Sequence, residues 1–96
     1  MKQNHYKITV EQQHDKDGNA VSGKQIAFNA RNHDDLLFVV EKIKGLNIAN
    51  AEDSTAMAVG LKLFTEIVLE NKNEPVFKEL FPLVRDIMQH IKSGMK

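Results

Sequence analysis

Three adjacent residues, His33, Asp34 and Asp35, form the one place in this chain where a histidine stands beside two acids. An imidazole next to carboxylates could ligate a metal or serve as an acid–base pair. The spacing argues against both. The segment "RNHDDLLFVVEKIKG" opens a helical pattern, and adjacent residues on a helix point about 100° apart, so three in a row do not close on one ion. A helical metal pair stands at i and i+4, and from His33 and Asp34 that step reaches only Leu37 and Phe38. The trio therefore reads as the first turn of a helix, with acids at the positive end of the dipole behind Asn32 as N-cap.

Other candidate chemistry fares no better. "HDKDGN", from His14 to Asn19, looks faintly like a calcium loop, but it lacks the alternating acid pattern and the closing glutamate, and reads as a hairpin turn. The four histidines, His5, His14, His33 and His90, share no metal-ligand spacing. The absence of cysteine removes disulfides, thiolate chemistry and Cys-ligated metal sites. No serine or threonine sits in a nucleophile elbow, and no phosphate loop or dinucleotide fingerprint is present. No metal or cofactor is expected, and the reading leans away from an enzyme.

Charge excludes further classes. Thirteen basic and thirteen acidic side chains cancel, so there is no general attraction to nucleic acid or to an anionic membrane. On the last helical segment Lys78, Arg85 and Lys92 interleave with Glu79 and Asp86, which is a mixed solvated face and not a DNA-reading one. No segment approaches the roughly 20 apolar residues of a membrane helix. The N-terminal "MKQNHYKITVEQQ" has no signal-like apolar run, so the expected location is cytoplasmic.

Ninety-six residues make one domain. Residues 5–13 and 25–30 alternate apolar and polar, with Tyr6, Ile8 and Val10 on one face and Ile26, Phe28 and Ala30 on one face; the turn-rich segment between them makes this a β-hairpin over about 5–30. Three helices follow, over about 33–44, 54–71 and 75–92, with Gly45 as the residue that closes the first. The expected fold is α+β in the order β-β-α-α-α, a single compact domain. In the second helix Ala56, Met57, Gly60, Leu61, Leu63, Phe64, Ile67 and Val68 span a wide apolar arc, with Lys62, Thr65 and Glu66 opposite. Gly60 lies mid-arc. Glycine costs about 1 kcal/mol against alanine in a helix, so its presence points to close approach of another backbone. In the third helix the apolar stripe, with Phe77, Leu80, Phe81, Val84, Ile87, Met88 and Ile91 assigned to the core, keeps its phase across Pro82. That predicts one rod bent at Pro82, with two in-phase helices split there as the alternative.

One residue breaks the pattern. Phe38 projects to the polar side of the first helix, between Asp34 and Lys42, where an aromatic ring is a typical contact anchor. Phe38 and Tyr6 are the candidate interface residues. The hairpin adds a second motive, since two strands alone are marginal and leave open edges. The segments "YKITVE", "NHDDLLFVVEKIK" and "AMAVGLKLFTEIVLENKNEPVFKELFPL", most specifically Gly60-Leu61-Lys62-Leu63-Phe64, resemble a small family of uncharacterised bacterial proteins, domain-of-unknown-function family 3861. The resemblance covers nearly the whole chain and implies a stand-alone cytoplasmic bacterial protein. It brings no activity, so no functional residue is carried over. The leading expectation is a non-enzymatic protein-interaction module acting as a homodimer, with itself or another protein as partner and neither nucleic acid nor membrane. The alternative is a small-ligand-binding domain or minor enzyme with a pocket between hairpin and helices, where Glu66, Glu70 and His90 are the polar groups to inspect.

Overall fold

The computed structural model describes residues 2–94. Strand β1 (Asn4–Glu11) pairs antiparallel with β2 (Gln25–Asn32), and helices α1 (Leu36–Lys44), α2 (Ala51–Glu70) and α3 (Pro75–Gly94) follow. This is the expected α+β order. The register sets Tyr6 opposite Ala30, Ile8 opposite Phe28 and Val10 opposite Ile26, with Asn4 opposite Asn32 at the open end of the same face, so that face is apolar over three successive pairs and polar only where it meets the turn into α1. Beyond the paired strands the hairpin tightens to a tip. There the Asp15 side chain accepts hydrogen bonds from the Asp17 and Asn19 amides at 3.0 and 2.9 Å, and Gly18 takes the left-handed turn (φ +87°). These amides hold the Asp15 carboxyl below its ordinary pKa, which accounts for the acid-rich "HDKDGN" as turn chemistry.

Two helix starts differ from expectation. Helix α1 begins at Leu36, not near residue 33, and its N-cap is Asp35, whose Oδ1 accepts from the Leu37 and Phe38 amides at 3.0 and 3.3 Å. Asn32, read as that cap, is fully buried at the end of β2 instead. Helix α2 starts at Ala51 behind Asn50, which accepts from the Asp53 amide at 2.8 Å. In both cases an Asx side chain one turn from the expected one offers better N-cap geometry. Gly45 does end α1, but with φ −67°; the left-handed residue is Asn47 at φ +57°. Helix α3 runs unbroken through Pro82, one rod and not two, and the proline faces solvent.

The largest departure concerns α2. Its buried side is Ser54, Ala58, Lys62, Glu66 and Val68, while Met57, Phe64 and Ile67 are exposed together with Gly60. The small Ser54 and Ala58 let neighbouring structure close in, and the apolar residues opposite are left outside. A Cβ added at Gly60 would meet nothing within 4 Å, so within one chain no backbone approaches it. Helix α3 shows a milder version of the same split: Val84 is buried, but Ile87, assigned to the core by its phase, is exposed beside Leu83. Among the described residues only Leu36, Ile43, Ala58, Val68 and Val84 are buried apolar side chains. That is a thin core for a domain of this length.

Candidate functional site

The turn between β2 and α1 is fastened from three sides. Asn32 donates from Nδ2 to the Lys62 carbonyl at 3.0 Å and accepts from the Asp34 amide at 2.8 Å. The Tyr6 hydroxyl accepts from the Leu36 amide at 3.0 Å and reaches the Asp34 carbonyl at 3.4 Å. Asn4 donates to the same carbonyl at 3.1 Å. A buried Asn with both ends of its amide engaged locks a turn that would otherwise leave backbone groups unpaired. The result is that His33 and Asp34 face α2.

Facing them, one helical turn apart, are Lys62 and Glu66. The Lys62 ammonium donates to Asp34 Oδ2 at 2.6 Å, and His33 Nδ1 donates to Glu66 Oε1 at 2.8 Å. A carboxylate only accepts, so Nδ1 carries the proton of that bond. The other Glu66 oxygen accepts from Gln3 at 2.7 Å, and Gln3 also reaches Glu70, at 2.6 Å. Glu70 in turn holds Arg31 through two hydrogen bonds, at 2.6 and 3.2 Å. Lys62 and Glu66 are only 8% and 3% exposed, and a charge so buried persists because it is paired. The Lys62 hydrogen bond, opposed by partial burial and aided by the charges of Lys62, His33 and Lys92, holds the Asp34 carboxyl below its ordinary range. Gln3 first, and then Arg31, do the same for Glu70.

The cluster floors a cleft of about 390 Å³ between the turn, α2 and α3. Across from it α3 supplies Phe81, Val84 and Met88, with Arg85 and Lys92 at the rim. Among the described residues no three His, Asp or Glu side chains are placed to hold a metal ion. The arrangement has the parts of a binding site: a concave, largely apolar surface with a few fixed polar groups.

Of the polar groups singled out from sequence, Glu66 lies in the cleft floor, Glu70 lies one turn outward in the same network, and His90 is on the exposed side of α3 away from it. His33 and Asp34, set aside as a helix start, are brought into the cluster; Asp35 alone does the capping. Tyr6 is half-buried with its hydroxyl committed to the turn. Phe38 is exposed, with the Lys42 ammonium 5.2 Å from its ring centre. It borders a smaller cleft of about 230 Å³ between α1, α2 and α3. Lys62, Arg85 and Lys92 were missed as site residues. Their signal was present for Lys62: with Glu66 it forms an i, i+4 charged pair inside the run from Val59 to Leu69, whose other residues are apolar or glycine except Thr65.

A second surface lies on the other side of α2. Phe28 and Ile26 of the hairpin are 43% and 64% exposed, and Phe64 of α2 is 48% exposed. Phe28, Ala30, Leu63 and Ile67, with Asn29 and Arg31 beside them, border one small depression, so apolar residues of strand and helix meet there. No helix among the described residues is long and apolar enough to cross a membrane.

The fold is similar to that of a protein of unknown function from Pectobacterium atrosepticum known from a crystal structure, with 34% sequence identity, a TM-score of 0.79, and coverage of 94% of this chain and 97% of that one. No curated protein matches the chain. The family model described as a domain of unknown function with a solved structure, DUF3861, matches residues 4–93, and the chain belongs to that family.

Proposed function

We propose that the protein is a non-enzymatic interaction module that works as a homodimer, joined through the apolar face of the hairpin and the outer side of α2. The observation that carries this reading is excess surface. The chain exposes 7455 Å², whereas a monomeric protein of 10.9 kDa exposes about 5,600 Å². Its radius of gyration is 15.5 Å, against about 12.5 Å for a compact domain of this length. Obligate homodimers remove roughly 1,000 to 2,500 Å² from each chain and use apolar interfaces. The surplus here falls in that range, and the face formed by Phe28, Phe64 and Ile67 has the composition to fill it.

A second copy suits this face better than an unrelated partner for two reasons. A two-fold contact needs one self-complementary patch, and a stripe with Gly60 between Met57 and Phe64 lets two copies of α2 cross closely. That assigns Gly60 the close approach for which the single chain has no counterpart. Sedimentation velocity across micromolar to millimolar concentrations tests the reading. A dimer at low micromolar concentration is expected; a monomer throughout the series overturns it.

A further inference from the structure

The cleft between the β2–α1 turn, α2 and α3 has an unbalanced rim. Its two acids are committed, Asp34 to Lys62 at 2.6 Å and Glu66 to His33 and Gln3 at 2.8 and 2.7 Å. Arg85 and Lys92 are not: among the described residues neither has a carboxylate within ion-pairing distance. A chain with no net charge thus turns two cations without an ion-pair partner toward one concavity, Lys92 acting on Asp34 only at longer range. Beneath them Phe81, Val84 and Met88 form an apolar wall, only one of the three fully buried. The volume, about 390 Å³, is at the small end of the roughly 300–1,000 Å³ typical of small-molecule sites.

We propose that this cleft binds a small organic anion with an apolar body, a carboxylate or phosphate ester on an aliphatic or aromatic group. Arg85 and Lys92 hold the anionic head, Arg85 through the planar fork that suits such oxygens. The α3 wall takes the body. The buried Lys62–Asp34 and His33–Glu66 pairs do not contact the head directly. They commit Asp34 Oδ2 and both Glu66 oxygens to donors within the chain, so that the acids of the floor are met from inside the protein. A cation is disfavoured by that rim, and a purely apolar ligand leaves it unused. The proposal is independent of dimerisation, because it uses the opposite side of α2.

The test is an amide NMR titration of the full isotope-labelled chain with phenylbutyrate, phenyl phosphate, phenylbutanol, acetate and inorganic phosphate. At least one of the two amphipathic anions is expected to shift the Val84, Arg85, Met88 and Lys92 amides saturably. Its affinity is expected to be at least about tenfold above that of the alcohol and of the bare anions. Arg85→Ala combined with Lys92→Ala, both exposed positions that leave the core untouched, is expected to weaken that binding at least about tenfold. Three results overturn the proposal: neither amphipathic anion saturates, the alcohol binds as well as they do, or the double variant binds unchanged.

Discussion

The two sides of α2 solve opposite problems. One side buries a lysine and a glutamate, and these stay because Asp34 and His33 meet them at 2.6 and 2.8 Å. The other side exposes Met57, Phe64 and Ile67, and within one chain nothing meets them. The polar side is complete: no buried side-chain nitrogen or oxygen among the described residues lacks a hydrogen-bond partner. The apolar side is incomplete, and the missing element is what we assign to a second copy. Burial therefore follows the availability of partners more closely than it follows residue polarity. The two charges are enclosed because pairing offsets their desolvation, while the aromatic stripe stays outside because the chain has no element left to cover it.

The sharpest way to break this contrast is to put a charge on the incomplete side. Phe64→Asp leaves the monomer's hydrogen bonds and core untouched but places a carboxylate in the proposed interface. Dimer affinity is expected to fall at least about hundredfold, roughly 2.7 kcal/mol, in a sedimentation series, with the circular-dichroism spectrum of the folded chain retained. If the variant associates as the parent does, the face is not the interface.

The complete side should fail differently. Glu66→Ala removes the acceptor shared by His33 and Gln3 and leaves a small void beneath the cleft. Breaking a fully buried pair from one side costs about 3–5 kcal/mol. His33 keeps a third of its side chain in water, so a loss of roughly 2–3 kcal/mol is expected, read from urea unfolding at fixed protein concentration. A loss under about 0.5 kcal/mol, typical of a surface site, would show that the cluster is ornamental to folding.

How much of this contrast was legible beforehand depends on the element. The hairpin and three helices follow from alternation, turn residues and helical period, which report local preference. Continuity of α3 through Pro82 was legible because the apolar stripe holds its phase across it. The site was not legible, because His33–Glu66 and Asp34–Lys62 join residues 33 and 28 positions apart. Period alone sends charges to water; only pairing across the fold reverses that. Phase also gave α2 one wide apolar arc without saying which part the chain could cover by itself. The caps slipped by one turn for a smaller reason, since Asn32, Asp35 and Asn50 are all good cap residues and local sequence ranks them equally.

Acid should loosen the polar side before it touches the apolar one. Asp34 has a folded pKa below its ordinary 3.8, first because Lys62 donates to it. Its ionised form is thus favoured in the folded state. The stability it contributes is present above the unfolded value and disappears as pH falls through the folded one. Asp34→Asn is expected to be less stable than the parent near neutrality. The gap between the two should close as the pH is lowered from about 5 toward 2. A gap that does not change with pH would mean that the Lys62–Asp34 contact carries no net ionic stabilisation.

The finest test separates the two readings of Gly60. In an isolated chain an added methyl there touches nothing within 4 Å. Gly60→Ala should then gain part of the roughly 1 kcal/mol by which alanine exceeds glycine in a helix. In a dimer whose α2 helices cross at Gly60, the same methyl holds the two backbones apart. The expected signature is therefore a split: unfolding measured at concentrations where the chain is monomeric shows a gain, while dimer affinity falls severalfold. A gain in both would leave the dimer possible but move its crossing point away from Gly60, toward the hairpin residues Ile26 and Phe28. The glycine would then mark no contact, and its cost to the helix would have no structural counterpart.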